Sequence, residues 1–352
     1  MKKALIAMSG GVDSSVAALL TQRRGFECLG CTMQLYDGPD ESTCCSLDDV
    51  EDARAVARRL GMPFYVFNCK EEFRREVMEP FAESYRRGLT PNPCIECNRA
   101  LKFGKLLRRA EELGCDTLVT GHYARIEPDG EGYHLKKAAD PDKDQTYVLY
   151  MLTQAQLSRL QFPLGELTKA QARRMAEENG FVNADKPDSQ DICFVPDGDY
   201  ASVIRQITGG ELTAGSFVDQ SGRVLGPHKG LECYTVGQRR GLGIALGEPA
   251  YVLAVRPEDG SVVLGPDEAL YSRQVTVPVF HWISGSAPKD PVRARAKIRY
   301  RHREKDCTVT PLPDGGARIE FDEPQRAVTP GQSAVVYDGD EVLGGGVIGR
   351  GR

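Results

Sequence analysis

Residues 4–15 read ALIAMSGGVDSS, a short apolar run followed directly by a loop of glycine, serine and one acid. The apolar run predicts a β-strand, and apolar residues at helical spacing after Ser14 predict a helix. Gly10 and Gly11 let the backbone turn sharply and bring its N–H groups close to a ligand. The positive N-terminal end of the helix points at the same place. This strand–loop–helix unit therefore predicts a site for the phosphates of a nucleotide.

The loop differs from that of common nucleoside triphosphatases. Their G-x-x-x-x-G-K-[ST] loop ends in a lysine that reaches the outer phosphates, whereas residues 4–15 contain no lysine. Asp13 stands inside the loop instead, and Ser9 and Ser14 add hydroxyl groups. An acid beside phosphates is suited to hold a magnesium ion, so Asp13 is the predicted Mg²⁺ ligand.

Predicted strands and helices alternate up to about residue 120. The strands are predicted at 4–7, 28–35, 64–67 and 117–120, and the helices after Ser14 and at 46–60, 71–87 and 99–113. This alternation is typical of a doubly wound parallel sheet, which binds ligands beyond the carboxyl ends of its strands. A hairpin at 128–130 and helices near 145–160 and 168–179 are predicted next, and Thr168 with Gln171 is the predicted capping box of the second helix.

After about residue 205 helical periodicity ends, and glycine, proline and short β-branched runs predict an all-β structure with a break near 273. The predicted fold class is therefore α/β plus all-β, with domains at 1–205, 206–272 and 273–352.

The composition of the 352 residues, 41% hydrophobic and 27% charged, is typical of a soluble globular protein. We expect a cytoplasmic protein, since no apolar run reaches the length of a membrane span and no signal-peptide pattern follows the first lysines. The net charge of −5 argues against a general nucleic-acid coat but allows a local basic surface.

Eleven cysteines in a long cytosolic chain indicate redox, metal or sulfur chemistry. In the stretch TPNPCIECN (residues 90–98), Cys97 is predicted near a helix N-terminus, where a thiolate is favoured. The alternative for this C-x-x-C pair is half of a zinc site. Cys193, in DSQDICF at 188–194, is the candidate partner thiol. Cys28 and Cys31 are predicted to be core residues, and Cys44-Cys45 is a weaker redox candidate.

Residues 293–305 read RARAKIRYRHREK, with a cation at every odd position. Since the side chains of a strand alternate between two faces, one strand would carry seven cations and no acid on one face. A nucleic-acid phosphate backbone is the predicted partner, and a solvated edge strand is the alternative. The polar stretch at 143–145 and the glycine-rich loop at 237–243 are weaker signals, and the second is predicted to be a loop of the β region.

Together these motifs resemble one family along nearly the whole chain, the bacterial tRNA-uridine 2-sulfurtransferases. The matching motifs are SGGVDS at 9–14, TPNP at 90–93 with Cys97, TGHY at 120–123, KDQ at 143–145, CF at 193–194 and YTVGQRRGL at 234–242. The resemblance implies a PP-loop ATP-pyrophosphatase domain, a final β-barrel that contacts tRNA, and ATP-dependent 2-thiolation of the wobble uridine. It further implies a monomer that does not bind membranes. A cysteine desulfurase or sulfur-relay protein is expected to supply its sulfur.

The resemblance also implies roles for individual residues. Cys97 is the implied nucleophile and Cys193 the implied persulfide carrier, and the two can end as a disulfide. The implied ATP-binding residues are Ala7, Met8, Ser9, Gly10, Gly11, Val12, Asp13, Ser14, Met33 and Gly121. The implied target-base residues are Asn92, Pro93 and Cys94, and the implied tRNA contacts are His122, Lys143, Asp144, Gln145, Arg299, Tyr300 and Gln332.

Three alternatives stay open. Cys94, Cys97 and Cys193 could hold an iron–sulfur cluster that carries the sulfur, because cysteine thiolates are the normal ligands of such clusters. Another adenylating enzyme of the superfamily, such as a lysidine synthetase or an amidotransferase-type synthetase, would not need the two cysteines. A non-catalytic RNA-binding or metal-sensing protein would not need ATP.

Overall fold

Three β-sheets organise the chain in the computed structural model, which describes residues 1–36, 47–187, 192–195 and 198–351. The vicinal cysteines 44 and 45 and most of the stretch before Cys193 lie outside the described residues. The first seven strands are β1 Lys3–Ala7, β2 Glu27–Gln34, β3 Phe64–Asn68, β4 Thr117–Val119, β5 Arg125–Pro128, β6 Tyr133–Lys136 and β7 Leu160–Gln161. Five of them form the first sheet in the order β3-β2-β1-β4-β7, and every pairing is parallel.

Seven helices accompany these sheets in the described ranges. They are α1 Val12–Arg23, α2 Leu47–Arg59, α3 over 70–86, α4 over 93–112, α5 Gln154–Leu157, α6 Lys169–Glu178 and α7 Tyr200–Thr208. Two of them contain a wider π-helical section, Arg74–Met78 in α3 and Cys97–Leu106 in α4. Across the described part of the chain, none of these helices has the length and apolar character needed to cross a lipid bilayer.

The first sheet is covered on both faces, as a parallel sheet requires. Successive residues of β1 point to opposite sides, so Ala4 and Ile6 belong to one apolar cluster and Leu5 to another. The first cluster includes residues of α1 and α6, and the second includes residues of α3, α4 and the C-terminal strands. The predicted doubly wound sheet is therefore confirmed.

The described residues beyond 210 are strands and loops with short 3₁₀ turns. The strands are β8 Gly215–Val218, β9 Val224–His228, β10 Tyr251–Arg256, β11 Ser261–Gly265, β12 Tyr271–Val277, β13 His281–Trp282, β14 Val292–Lys297, β15 Lys305–Pro311, β16 Ala317–Arg326, β17 Ser333–Asp338 and β18 Glu341–Val347. The second sheet has the order β10-β11-β8-β9. The third has the order β12-β16-β15-β14-β17-β18-β6-β5, with β13 paired to β18.

The predicted hairpin at 128–130 joins β5 to β6, but its place in the fold was not predicted. Strand β6 pairs with β18 of the C-terminal sheet through Lys136 and Glu341. The hairpin thus leaves the N-terminal domain and extends the third sheet.

Two predicted helices differ in the structure. The predicted helix near 145–160 is only a 3₁₀ turn at Thr146–Val148 followed by α5, because the Thr153 side chain caps a new helix at the Gln156 N–H. Helix α4 begins at Pro93 rather than near 99, because Asn92 caps it and proline suits the first helical position.

Candidate active site

The loop between β1 and α1 is closed by its own serines. The Ser9 N–H donates to Ser14 Oγ at 3.1 Å, and the hydroxyls of Ser14 and Ser15 each donate to the Gly11 carbonyl at 3.0 Å. Gly10 has φ +77°, and a Cβ there would lie 2.3 Å from the Asp49 carbonyl oxygen. Only glycine fits this turn, so the loop backbone is fixed before any ligand arrives.

The other predicted nucleotide residues lie at the same edge of the sheet. Gly121 follows β4, and a Cβ on it would lie 2.7 Å from the Ser14 backbone nitrogen. Met33 is buried near the carboxyl end of β2, the strand that pairs with β1. The structure therefore brings the loop and Gly121 into contact, with Met33 on the adjacent strand.

Asp13 has two partners that the sequence did not reveal. Lys169 Nζ lies 2.7 Å and 2.8 Å from the two carboxylate oxygens of Asp13, and the Tyr123 hydroxyl donates to Asp13 Oδ1 at 2.8 Å. Lys169 is the first residue of α6, which begins with the predicted Thr168 capping box. The predicted magnesium ligand is thus a carboxylate already paired with a lysine.

A segment that leads toward Cys193 holds the same loop. Asn183 is buried, and its Nδ2 donates to the Gly10 carbonyl at 2.7 Å and to Ser15 Oγ at 3.0 Å. Lys186 Nζ lies 2.7 Å from Asp49 and 2.6 Å from Asp52, both on α2. The chain is therefore anchored beside the phosphate loop shortly before it reaches the cysteine.

The cysteines of the predicted sulfur chemistry lie around one apolar cluster. Cys94 is exposed in the first turn of α4, and Asn92 Oδ1 accepts a 3.1 Å hydrogen bond from its N–H. Cys97 and Cys193 are half-buried and pack against the same cluster. Phe194 fixes the second of these positions, with ring centroids 5.6 Å from Phe73 and 5.1 Å from Phe81.

One expectation about these cysteines was wrong. Because α4 begins at Pro93, the favourable helix N-terminus lies at Cys94, whereas Cys97 is already one turn inside the helix. The described residues, which include Cys94, Cys97 and Cys193, contain no group of three His, Cys, Asp or Glu side chains that could hold a metal ion.

The buried thiols behave as predicted. Cys28 and Cys31 lie in β2 and are 6% and 0% exposed. Burial raises the pKa of Cys28 to about 11 and raises the pKa of Cys31 as well. Both are neutral core residues at ordinary pH.

The polar stretch at 143–145 contacts Tyr123, the residue whose hydroxyl binds Asp13. Asp144 accepts hydrogen bonds from the Thr146 hydroxyl at 2.7 Å and the Ala138 N–H at 3.2 Å. Gln145 Oε1 accepts from the Tyr123 N–H at 2.9 Å. Gln145 therefore holds the loop that carries Tyr123, and Asp144 ties Ala138 to Thr146. Lys143 is half-buried beside them.

Tyr300 connects the C-terminal domain with the cysteine loop. It is 43% exposed, and its ring lies edge-on to Tyr147 with centroids 5.9 Å apart. Burial raises the pKa of Tyr300, and the nearby Asp144 and Cys94 raise it further. The structure thus brings Tyr300, Asp144 and Cys94 into one neighbourhood.

Three other predicted tRNA residues have distinct surroundings. Gln332 Nε2 donates to the Thr90 carbonyl at 2.9 Å, and Arg299 Nη1 donates to the Arg326 carbonyl at 3.3 Å. His122 is buried between Phe103 and Phe162 and bonds Thr120 Oγ1 at 2.7 Å. Burial and then Lys102 push the pKa of His122 well below its usual value, so it is neutral.

The predicted basic strand at 293–305 was wrong in two respects. Strand β14 ends at Lys297, and the His302 N–H donates to the Arg299 carbonyl in a turn, so the alternation does not define one face. Neighbouring strands also supply acids. The ion pairs are Arg293–Asp322 at 2.8 Å, Lys305–Glu323 at 3.3 Å and Arg295–Asp306 at 3.5 Å. Arg301 and Arg303 are exposed at the turn beside Tyr300.

The loop at 237–243 is a loop of the β region, as predicted. Gly237 has φ +89°, and a Cβ there would lie 2.8 Å from the Ala327 side chain. Thr235, just before it, lies 3.5 Å from Thr90 through the two hydroxyls. The loop therefore packs against the C-terminal domain and reaches the stretch that precedes Cys94.

Comparison with known proteins gives matches over nearly the whole chain. Three family models match, described as the tRNA methyl transferase HUP domain at residues 2–197, the tRNA methyl transferase PRC-barrel domain at 203–266 and the aminomethyltransferase beta-barrel domain at 272–348. They confirm an α/β domain followed by two β domains, the last of them a β-barrel.

The similar curated proteins carry a different description from the family models. A tRNA-specific 2-thiouridylase of Acetivibrio thermocellus is 50% identical over 355 residues, and one of Magnetococcus marinus is 49% identical over 353 residues. Each alignment covers 99% of both chains. A solved 4-thiouridine synthetase–RNA complex with bound ATP is 19% identical over 59% of this chain and 50% of its own, with a TM-score of 0.35.

Proposed function

Since the chain belongs to the family of the tRNA-specific 2-thiouridylases, we propose that it replaces the C2 oxygen of the wobble uridine of tRNA by sulfur and consumes ATP. One observation of the structure carries this proposal. The segment that leads to Cys193 is hydrogen-bonded to the phosphate loop through Asn183, and Cys193 and Cys97 pack against one apolar cluster. These contacts support a shared site for the nucleotide and sulfur chemistry.

The reaction needs ATP because a carbonyl oxygen is a poor leaving group. Attack of the uridine O2 on the α-phosphate breaks the bond to the β-phosphate, so that the base becomes adenylated and pyrophosphate leaves. The N–H groups of the loop and of the α1 N-terminus stabilise the charge that develops on the pyrophosphate. The fixed loop at Gly10 and Gly11 supplies these donors without reorganisation.

Magnesium fits this loop through one protein ligand. Asp13 is the carboxylate beside the phosphate site, and phosphate oxygens would complete the coordination of the ion. When bound, Mg²⁺ neutralises phosphate charge. Tyr123 orients the Asp13 carboxylate by its 2.8 Å hydrogen bond.

The sulfur step uses the two half-buried cysteines. The terminal sulfur of a Cys193 persulfide attacks C2 of the adenylated base, and AMP leaves. Cys97 thiolate then attacks Cys193 Sγ, which breaks the S–S bond to the base, leaves C2=S and forms a Cys97–Cys193 disulfide. In the alternative order, the Cys97 thiolate first attacks Cys193 Sγ and releases hydrosulfide from the persulfide. The hydrosulfide then attacks C2 of the adenylated base, and AMP leaves. A two-electron reductant restores both thiols, and a cysteine desulfurase or sulfur-relay protein reloads Cys193.

The tRNA side of the site is formed by the α4 start and the C-terminal domain. Asn92, Pro93 and Cys94 face the target base, which must leave its stack to reach them. Tyr300 lies near Cys94, and the exposed Arg301 and Arg303 are placed to meet phosphates. The other proposed tRNA contacts are Lys143, Asp144, Gln145, Arg299 and Gln332. The burial of His122 favours an indirect role for that residue.

The cysteine arrangement favours the persulfide route over an iron–sulfur cluster, since Cys94, Cys97 and Cys193 are not gathered as a metal site in this structure. Anaerobic purification with iron and sulfide analysis separates the two routes. An iron-free protein that thiolates tRNA at full rate supports the persulfide. Activity that depends on bound iron would overturn it.

The function itself is tested with unmodified tRNA, ATP, Mg²⁺ and a cysteine desulfurase. Nucleoside mass spectrometry should show 2-thiouridine, with release of pyrophosphate. Absence of ATP turnover would instead indicate a non-catalytic RNA-binding protein. We further expect the enzyme to act as a monomer in the cytoplasm, where its tRNA substrate is found.

A further inference from the structure

The phosphate loop has no lysine of its own, yet a lysine from a distant part of the chain lies in it. Lys169 enters from the first turn of α6, and its Nζ contacts both oxygens of Asp13 at 2.7 Å and 2.8 Å. The Lys169 side chain is only 12% exposed, and that of Asp13 is 30% exposed. The pair is thus largely shielded from bulk water, and the Asp13 carboxylate is the more exposed of the two groups.

The fold fixes Lys169 relative to the loop. Ala172 and Ala176 of α6 belong to the same buried cluster as Val16 and Ala17 of α1, so the two helices pack directly. The Lys169 N–H also donates to Asp140 Oδ2 at 3.0 Å, which anchors the start of α6. The ammonium group can move on its flexible stem while its backbone stays in place.

The charges explain what such a pair does at a triphosphate site. The Asp13 carboxylate would repel a nucleotide if it stood alone, and Lys169 cancels its charge. When a Mg²⁺–nucleotide arrives, the metal can take over the carboxylate, and the lysine is then a cation beside the phosphates. Asp13 keeps its orientation through this exchange, because Tyr123 is 2% exposed and its N–H is bound by Gln145.

We propose that Lys169 is the missing lysine of this loop and binds the β- and γ-phosphates of ATP. In the nucleotide-free protein Lys169 holds Asp13, and in the Mg²⁺–ATP complex it moves onto the phosphates that leave as pyrophosphate. This inference rests on the proposed function, since it concerns the nucleotide of that reaction. It makes Lys169 a binding residue for the leaving group.

The test compares nucleotides that differ only in these phosphates. The affinities of Lys169→Met, Lys169→Gln and Lys169→Arg for ATP and for AMP are measured with Mg²⁺ and without tRNA. We expect Lys169→Met and Lys169→Gln to weaken ATP binding by about tenfold or more, the usual effect of losing one charge-assisted hydrogen bond. AMP binding should weaken by less than about twofold. The arginine variant should recover most of the ATP affinity.

A matched control removes a lysine ion pair elsewhere. Lys136 pairs with Glu127 on the β5–β6 hairpin, so Lys136→Met should leave both affinities unchanged. Melting curves show whether each variant folds, and Lys169→Arg keeps the charge if the neutral variants do not fold. Equal losses for ATP and AMP, or unchanged ATP binding, would overturn the inference. Neither result affects the proposed thiolation, which fails only if the wild-type protein forms no 2-thiouridine.

Discussion

The side-chain amide of Gln332 donates a 2.9 Å hydrogen bond to the carbonyl oxygen of Thr90. This bond joins the C-terminal domain to the stretch that leads into the cysteine helix. Gly331 lies at the same contact, since a Cβ on it would be 2.6 Å from the Thr90 nitrogen. The C-terminal domain therefore positions the loop before Cys94.

Replacement of Gln332 by alanine should impair the tRNA step and spare the nucleotide step. Loss of one neutral hydrogen bond is worth about 0.5–1.5 kcal/mol, so we expect kcat/KM for tRNA to fall roughly 3- to 10-fold with ATP affinity unchanged. Steady-state thiolation and ATP binding measure the two effects. Gln22→Ala is the control, because Gln22 makes a comparable bond to the Leu60 carbonyl, remote from the cysteines. An equal loss in both variants would rule out the positioning role.

Cys193→Ser should abolish 2-thiouridine formation but retain adenylation. The phosphate loop does not use the thiol, so pyrophosphate release with tRNA and ATP should persist for at least one turnover. Cys233→Ser is the matched control, since Cys233 is also half-buried and lies in the central β domain. Undiminished thiolation by Cys193→Ser would show that another residue carries the sulfur and would overturn the role of Cys193.

Gly10→Ala tests the fixed geometry of the phosphate loop. Gly25 is the matched control, because its φ of +83° resembles the +77° of Gly10 but a Cβ there meets nothing within 4 Å. Both changes impose the left-handed backbone penalty of about 1–2 kcal/mol. Only Gly10→Ala adds a clash with the Asp49 carbonyl, so it should lose more free energy of unfolding and most ATP affinity. Chemical denaturation and nucleotide titration decide this, and equal behaviour of the two variants would contradict it.

His134 should make the stability of the hairpin attachment depend on pH. Its ring lies 2.7 Å from Glu341 and 2.7 Å from Asp129, and the bond to Glu341 is the main cause that raises the pKa of His134. Lys136 and Arg125 also line this surface, with Glu127 between them. A raised folded-state pKa means that the stabilisation is complete below the unfolded value near 6.5 and is lost as the pH rises through the folded value.

The effect is small because the pair is near the surface, less than about 1 kcal/mol. The free energy of unfolding of the wild-type protein should therefore fall relative to that of His134→Gln between pH 6 and 8.5. His281→Gln serves as the control, because His281 lies in β13, which pairs with the same strand β18. A difference between wild type and His134→Gln that stays constant with pH would refute this assignment.

Local patterns allowed prediction of the first sheet, the loop and the α6 cap, because each depends on residues close in sequence. The Asp13–Lys169 pair could not be predicted, since 156 positions separate its members and only the packing of α1 on α6 joins them. The prediction of one cationic strand face at 293–305 failed because it also depends on residues distant in sequence. Alternation continues through the turn after Lys297, and its acidic partners, such as Asp322, lie on other strands.

A single-turnover experiment tests the central claim most directly. The protein is loaded with ³⁵S as a persulfide on Cys193, freed of the donor, and mixed with unmodified tRNA. With ATP and Mg²⁺, up to one labelled sulfur per protein should appear in 2-thiouridine at the wobble position, and without ATP none should. Label that stays on the protein in the presence of ATP, or reaches tRNA without ATP, would contradict a site that joins adenylation to sulfur transfer.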